Sequence, residues 1–190
     1  MIIGLCGYTG SGKDEIAKHL AAKHDFVRVA LADAMREDLY KLSPIIYEGD
    51  RGRLSSIIDD LGWDIAKRQY PEVRRLLQVY GTEVGRHGFG EECWLKRAES
   101  IIDNALINGF DVVVTDVRFA NEVQFIQEWL GSQIWHVQRP GCRPINAHAS
   151  EQLNYAAVAD TTIMNDSTIE NLHLITSIML ESACKSMKAS

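Results

Sequence analysis

Cysteine is scarce and scattered in this 190-residue sequence: Cys6, Cys93, Cys142 and Cys184 lie far apart, with no C-x-x-C spacing among them. Neither a zinc site of the usual spacing nor a disulfide framework is expected, and a reducing cytoplasm is the default location. Long apolar runs are also missing. The stretch Tyr155 to Ala159 is far short of the ~20 residues that a spanning helix needs, so no membrane association is expected. No basic segment precedes the first apolar residues, so no secretory signal is expected either. Positive charge is in deficit, 20 Lys and Arg against 26 Asp and Glu, for a formal charge of −6. That argues against a nucleic-acid partner, because phosphate contacts require a basic patch. Repeats and low-complexity tracts are absent. What remains is 46% hydrophobic and 24% charged, which suits one globular domain with a full core.

Against that background one stretch stands out. Ile2 to Cys6 is a short apolar run, Gly7-Tyr8-Thr9-Gly10-Ser11-Gly12-Lys13 follows, and a helical pattern continues to Leu20. Strand, glycine-rich loop and helix in that order form the setting of a phosphate-binding loop. Glycines let consecutive N–H groups converge on one concavity, and the helix start adds its unpaired N–H groups and positive dipole end. Lys13 supplies a point charge for outer phosphates. The spacing fits G-x-x-x-x-G-K, but Asp14 stands where Ser or Thr usually ligates Mg²⁺.

Further along, Phe26 to Leu31 reads as a second strand and Asp33 as the N-cap of the next helix. Ser43 to Arg53 reads as a loop. Three apolar stripes predict helices: Leu54, Ile57, Ile58, Leu61 and Ile65; Val73, Leu76, Leu77, Tyr80 and Val84; then Trp94, Leu95, Ala98, Ile101, Ile102 and Leu106. Asp111 to Asp116 is a β-branched run expected to be buried on both faces. A helix near 121–130, a strand over 133–138 and a strand over 161–164 follow. Asn165-Asp166-Ser167 is expected to cap a closing helix whose Ile169, Leu172, Ile175 and Met179 face inward. Strands alternating with helices predict a parallel α/β sheet. The domain should carry a helical insertion at about 43–108, because ~80 residues between two strands exceed an ordinary crossover. A lid is expected at about 139–150.

Ligands of such sheets bind at the carboxyl ends of the strands. Asp116 ends a strand and is placed to hold Mg²⁺, with Arg118 in reach of a phosphoryl group. Arg139 and Arg143 sit on the expected lid, near His148. In the insertion, an uninterrupted α-helix would put Arg75, Gln78 and Arg86 on one face, suited to a phosphate and a base edge. The competing reading is an exposed face with ion pairs to Glu72 and Glu83. His87 and His148 read as structural or lid-closing residues.

Taken together, GxxGSGKD, LLQVYGTEVGR with its following Trp, TDVRFANE, RPG…HxSE and NDSTIENL resemble the bacteriophage deoxynucleoside monophosphate kinases, which are similar to adenylate kinases. The resemblance runs from Ile2 to about Leu174 and includes Asp14. It implies a P-loop fold with a parallel sheet, and transfer of the γ-phosphoryl of ATP to a deoxynucleoside 5′-monophosphate with Mg²⁺. It implies that Gly10, Gly12 and Lys13 hold ATP phosphates, that Ser11 and Asp14 belong to the same cofactor site, and that Arg118, Arg139 and Arg143 clamp the reacting groups. Asn165 and Asp166 would lie against adenine. Arg36, Arg75, Gln78, Arg86 and Trp94 would line the monophosphate site with Asp33 at its rim. Metal would be held through Asp14 or Asp116, or by ATP and waters. Alternatives are a dephospho-CoA kinase-like enzyme or a non-catalytic ATP sensor. A small-molecule partner and a homodimer through the apolar insertion helices complete the expectations, in a host cytoplasm if the chain is phage-encoded.

Overall fold

The computed structural model describes residues 1–49, 52–144 and 152–189. Five strands, β1 (Ile2–Cys6), β2 (Phe26–Val29), β3 (Asp111–Val117), β4 (Ser132–Gln138) and β5 (Thr161–Met164), form one sheet in the order β2-β3-β1-β4-β5. Every pairing is parallel. Helices α1 (Lys13–Lys23), α6 (Ala120–Gln127), α7 (Tyr155–Val158) and α8 (Ile169–Ala189) occupy the connections of this sheet and its closing end. The internal place of β3, between β2 and β1, explains the expected double burial: Val112, Val113, Val114 and Thr115 are all buried. Between β1 and β3 the register slips by one residue, Gly4 facing Val114 but Cys6 facing Val117. The bulge falls at the carboxyl ends of both strands, where the chain must turn its polar residues out.

By contact the chain divides into two units, residues 1–30 with 99–190, and residues 31–98. The first is built on Ile3, Leu5, Ile16, Leu20, Val113, Trp135, Val137, Ile163 and Leu172, with α1 and α8 over the sheet. Each such apolar side chain stabilises by roughly 1.5–3 kcal/mol when taken from water. The helices α1 and α8 are also stitched by polar contacts. Ser177 is within hydrogen-bond distance of both His19 and His24, at 2.9 and 3.1 Å, while His173 reaches Glu15 at 2.9 Å.

The second unit holds α2 (Asp33–Leu42), α3 (Leu54–Gln69) and α4 (Pro71–Gln78) around Leu39, Leu54, Ile57, Ala66 and Val73. Here the apolar stripes run out of phase with an ideal α-helix, and for identifiable reasons. Gly62 breaks α3 with φ 70 and ψ 164, so beyond it Ala66 is buried and Ile65 is exposed. After Gln78 the chain continues as a π-helix, Val79–Phe89. Its i→i+5 ladder makes a wider turn, which leaves Val84 exposed and buries Gly85. A glycine is required there: a Cβ on Gly85 would run into the indole of Trp94. Trp94 opens the helix α5 (Cys93–Ile107), and its Nε1 donates to the Gly81 carbonyl at 2.8 Å. In α5 the inward face is Leu95, Ala98, Ile102 and Ala105, while Ile101 is exposed.

Two caps also differ from expectation. Ala32, not Asp33, precedes α2, and Asp33 instead accepts an ion pair from Arg36 in the first turn. The closing helix is started by Thr168, whose Oγ1 accepts from the Asn171 N–H. Ile169 is consequently exposed, whereas Leu172 is buried and Ile175 and Met179 pack on the core. No helix among the described residues is long and apolar enough to cross a membrane.

Gly85→Ala should lower stability by about 1–3 kcal/mol, the range for overpacking a well-filled site, and should shift the Trp94 fluorescence. An unchanged urea midpoint with unchanged emission would mean that the π-helix tolerates a Cβ against the indole.

Candidate functional site

Polar residues gather at the carboxyl ends of β1, β3 and β4, where parallel sheets bind ligands, and the end of β5 adds Asn165 and Asp166. After β1 comes the loop Gly7–Gly12, in which Gly7, Gly10 and Gly12 have φ of 134, 82 and 110. These are left-handed values that residues with a Cβ rarely adopt. Space requires glycine at two of them as well. A Cβ on Gly7 would strike the Val137 carbonyl, and one on Gly12 would lie 2.5 Å from the Asn165 amide nitrogen. At Gly10 the space is open apart from Cys142 Sγ, 3.9 Å away.

Lys13 begins α1 and folds back over the loop, donating to the carbonyls of Gly7 and Tyr8 at 2.6 and 2.8 Å. Asn165, the first residue after β5, donates from Nδ2 to the Ser11 carbonyl at 2.8 Å. The loop is therefore tied to β5 by a side chain. Beside it, Cys6 is fully buried, and burial pushes its thiol up to about 12 against the opposing pull of Lys13. It remains a neutral packing residue. Asp14 points to solvent and pairs with Arg28 of β2 at 3.1 Å. Asp166 is exposed.

The second strand end is that of β3, which carries Asp116 and Arg118, both half-buried. The turn into α6 is set by Glu122, 7% exposed, whose Oε2 accepts the N–H groups of Arg118 at 2.6 Å and Phe119 at 3.0 Å. Phe119 is the residue that precedes α6. The signal for Glu122 was present in the sequence as an acid at the third position of a helix, the spacing of a capping box.

The third end, that of β4, leads to Arg139 and Arg143, both exposed. The expected lid continues through His148 to residue 150; residues 145–151, His148 among them, lie outside the described residues. Beside β4 lies a cavity of about 330 Å³ lined by Tyr8, Ser11, His136, Arg139 and Tyr155, among others. Neither His136 nor Tyr155 stood out in the sequence, where His136 is one polar residue inside an apolar strand.

In the second unit, Arg75 is exposed and holds Glu72 through two bonds of 2.7 Å. Arg86 is turned inward, its side chain 10% exposed, and donates to the Glu91 carbonyl. The π-helix removes the phase relation that would have put both on one face with Gln78. Gln78 is half-buried. The Arg36 Nε is buried and has no partner among the described residues, although its Nη1 bonds Asp33 at 2.9 Å. Trp94 is engaged in packing, against Gly85 and tilted onto Tyr80. His87 is exposed. No group of three His, Cys, Asp or Glu side chains able to enclose a metal occurs among the described residues.

Parallel sheet, glycine loop and basic strand ends define a P-loop kinase architecture. Shikimate kinase from Aquifex aeolicus shares it, with a TM-score of 0.50 at 14% identity over 97% of this chain and 98% of its own. The family model for deoxynucleotide monophosphate kinase matches residues 52–175, and the chain belongs to that family. It is 27% identical over 186 residues to an Acanthamoeba polyphaga mimivirus protein provisionally described as a deoxynucleotide monophosphate kinase, covering 91% of this chain and 92% of the relative. It is 30% identical over 101 residues to the deoxynucleotide monophosphate kinase of Enterobacteria phage T4, covering 53% and 42% respectively.

Glu122→Ala should destabilise the protein by about 1–3 kcal/mol, because two N–H groups at a buried turn lose their acceptor. Glu122→Gln should lose much less, since its amide oxygen can still accept both bonds. Equal losses in thermal unfolding would show that the charge, rather than the acceptor, sets the turn.

Proposed function

We propose that this chain transfers the γ-phosphoryl group of ATP to a deoxynucleoside 5′-monophosphate, with Mg²⁺ as the metal. The observation that carries the reading is the glycine loop with Lys13 at the end of β1, in a chain of the deoxynucleotide monophosphate kinase family. The loop fits a nucleotide phosphate. Its left-handed glycines leave open backbone at Gly10, and the buried Ser11 Oγ has no partner among the described residues.

In this reading Gly10, Ser11, Gly12 and Lys13 bind the donor phosphates, and Asn165 and Asp166 border the donor base. Lys13 must exchange two carbonyl acceptors for phosphate oxygens, a charge-assisted gain that favours the loaded state. Arg118, Arg139 and Arg143 neutralise charge on the transferring group. Arg36, Arg75, Gln78 and Arg86 bind the monophosphate, with Asp33 at the rim and Trp94 as a wall. The insertion at about 43–108 thus serves the acceptor and the segment 139–150 serves as lid, within one catalytic domain. The buried Nε of Arg36, without a partner among the described residues, supports an anion there. Arg75 would have to trade Glu72 for the ligand, a small change for an exposed pair.

When bound, Mg²⁺ would supply charge neutralisation for the transferring phosphate. Asp116 and Asp14 are the carboxylates that would hold it, directly or through water, alongside the phosphate oxygens. Such binding by one or two carboxylates plus substrate is usual for this ion. No general base is required. The acceptor phosphate has a second pKa of roughly 6 and is already a nucleophile at neutral pH, so the protein's task is positioning and charge balance.

An assay of ADP formation with Mg²⁺-ATP and a panel of deoxy- and ribonucleoside monophosphates, plus dephospho-CoA, tests the reading. Turnover with deoxynucleoside monophosphates is expected. Tight ATP binding with no turnover on any acceptor would replace it with a sensor. Lys13→Ala should abolish transfer while the far-UV spectrum stays native, and near-normal transfer would remove this loop from the reaction. Arg118→Ala should lower kcat by about a thousandfold, within the range for losing an arginine at the transferring phosphate. A change confined to KM would make Arg118 a ground-state binder.

A further inference from the structure

The cavity beside β4 is lined by Ser11 and Arg139, which the proposed mechanism uses, and by His136, which it does not. His136 is 8% exposed, and its Nδ1 is buried with no hydrogen-bond partner among the described residues. Ser11, 1% exposed, is in the same condition at its Oγ, and both side chains line the same cavity. A buried polar atom without a partner is destabilising, and natural proteins keep such atoms where a ligand or water completes them. The two residues border a cavity of about 330 Å³, with room for more than one water, whose share of volume is roughly 30 Å³.

The charge around the cavity selects the ligand. No acidic residue lines it among the described residues, and Arg139 stands in its wall. Lys13 is near enough to act on the imidazole: burial first, then Lys13, holds His136 below the usual histidine range, so the ring is neutral at pH 7. The other titratable groups around the ring are Tyr8 of the loop, Cys6 of β1, Cys142 after β4 and Tyr155 of α7, whose ring centroid is 5.6 Å away. On α6, which also packs on β4, the buried acid Glu122 is already engaged by backbone N–H groups. A site with this surplus of positive charge suits an anion.

We propose that His136 and Ser11 bind a phosphoryl oxygen of the donor nucleotide, and that His136 takes up a proton from solvent as the site fills. This rests on the donor site proposed above, and it adds a ligand group that the phosphate loop does not provide. The donor is the source because Ser11 belongs to the loop itself. The linkage has a definite sign. Negative phosphate beside His136 raises its affinity for a proton, so the bound state holds more protons than the free state. Donor affinity then rises as pH falls through the bound-state pKa, and the gain is complete below the free-state pKa.

Calorimetric titration with ATP, in buffers of different ionisation enthalpy between pH 6 and 8, gives the proton uptake directly. The wild-type protein should take up a substantial fraction of a proton beyond that seen for His136→Asn. Its affinity should also fall by about threefold or more across that range relative to the variant, within the tenfold per pH unit that one proton permits. Ser11→Ala should weaken ATP binding while keeping the uptake. Proton NMR of the His136 ring in the unmutated protein, with and without ATP, covers the case of a variant that does not fold. A titration midpoint unmoved by ATP, or one moved by deoxynucleoside monophosphates or inorganic phosphate alone, would overturn the proposal. If the wild type turns over a monophosphate yet shows no uptake, only this inference fails. If ATP does not bind at all, the kinase reading fails with it.

Discussion

A phosphate loop works only if its N–H groups are held converging before the ligand arrives, and here that constraint is met by bracing the loop from three directions. Lys13 grips the carbonyls of Gly7 and Tyr8. Asn165 reaches across from β5 to the Ser11 carbonyl. Gly7 sits so close to the Val137 carbonyl of β4 that no side chain fits. The loop's conformation thus depends on β4 and β5 as much as on its own glycines. That explains why a loop between β1 and α1 needs the whole right-hand half of the sheet, down to β5.

How far the sequence could be read follows from how local each cause is. The sheet was legible because β-branched runs of five to seven residues have few other solutions in an α/β chain; β3 and β4 lie where their apolar runs put them. Three insertion helices were expected from their stripes, and the structure has α3, α4, a π-helix and α5 there, with the stripes out of phase. A periodic stripe assumes that every residue turns by the same angle, and two glycine-linked departures break that assumption. Gly62 resets α3, and the run containing Gly81 and Gly85 opens into a π-helix packed against Met35 and Trp94. Only the tertiary neighbours reveal the second of these, so the one-face arrangement of Arg75, Gln78 and Arg86 could not have been tested from spacing.

The site divides in the same way. The loop and Lys13 are written in consecutive residues, and the motif carries its own context. Glu122 was readable from its place three residues into a helix, and it shows what holds Arg118 at the strand end. His136 was not readable. A lone histidine in a strand has a bland explanation in almost every fold. What distinguishes it is the pairing with Ser11 around one cavity, two residues 125 positions apart that only the parallel pairing of β1 with β4 brings together.

Asp14 is where sequence and structure together say more than either does. As a residue replacing the metal-binding hydroxyl, it looked like a defect in the motif. In the structure its carboxylate is engaged by Arg28, but both partners are largely exposed, and an exposed ion pair is worth roughly 0–1 kcal/mol. Such a pair occupies the carboxylate without committing it. On the proposed reading, a hard divalent ion held with phosphate would compete for the same oxygens with twice the charge, and Arg28 would be released to water at little expense. The same logic applies to Arg75 on Glu72 in the second unit. On the proposed reading, Asp14 and Arg75 would both change partners during binding, and the resting pairs of both lie at the surface. The groups that must not move, Asn165 on the loop and Glu122 beneath Arg118, make their bonds to backbone instead.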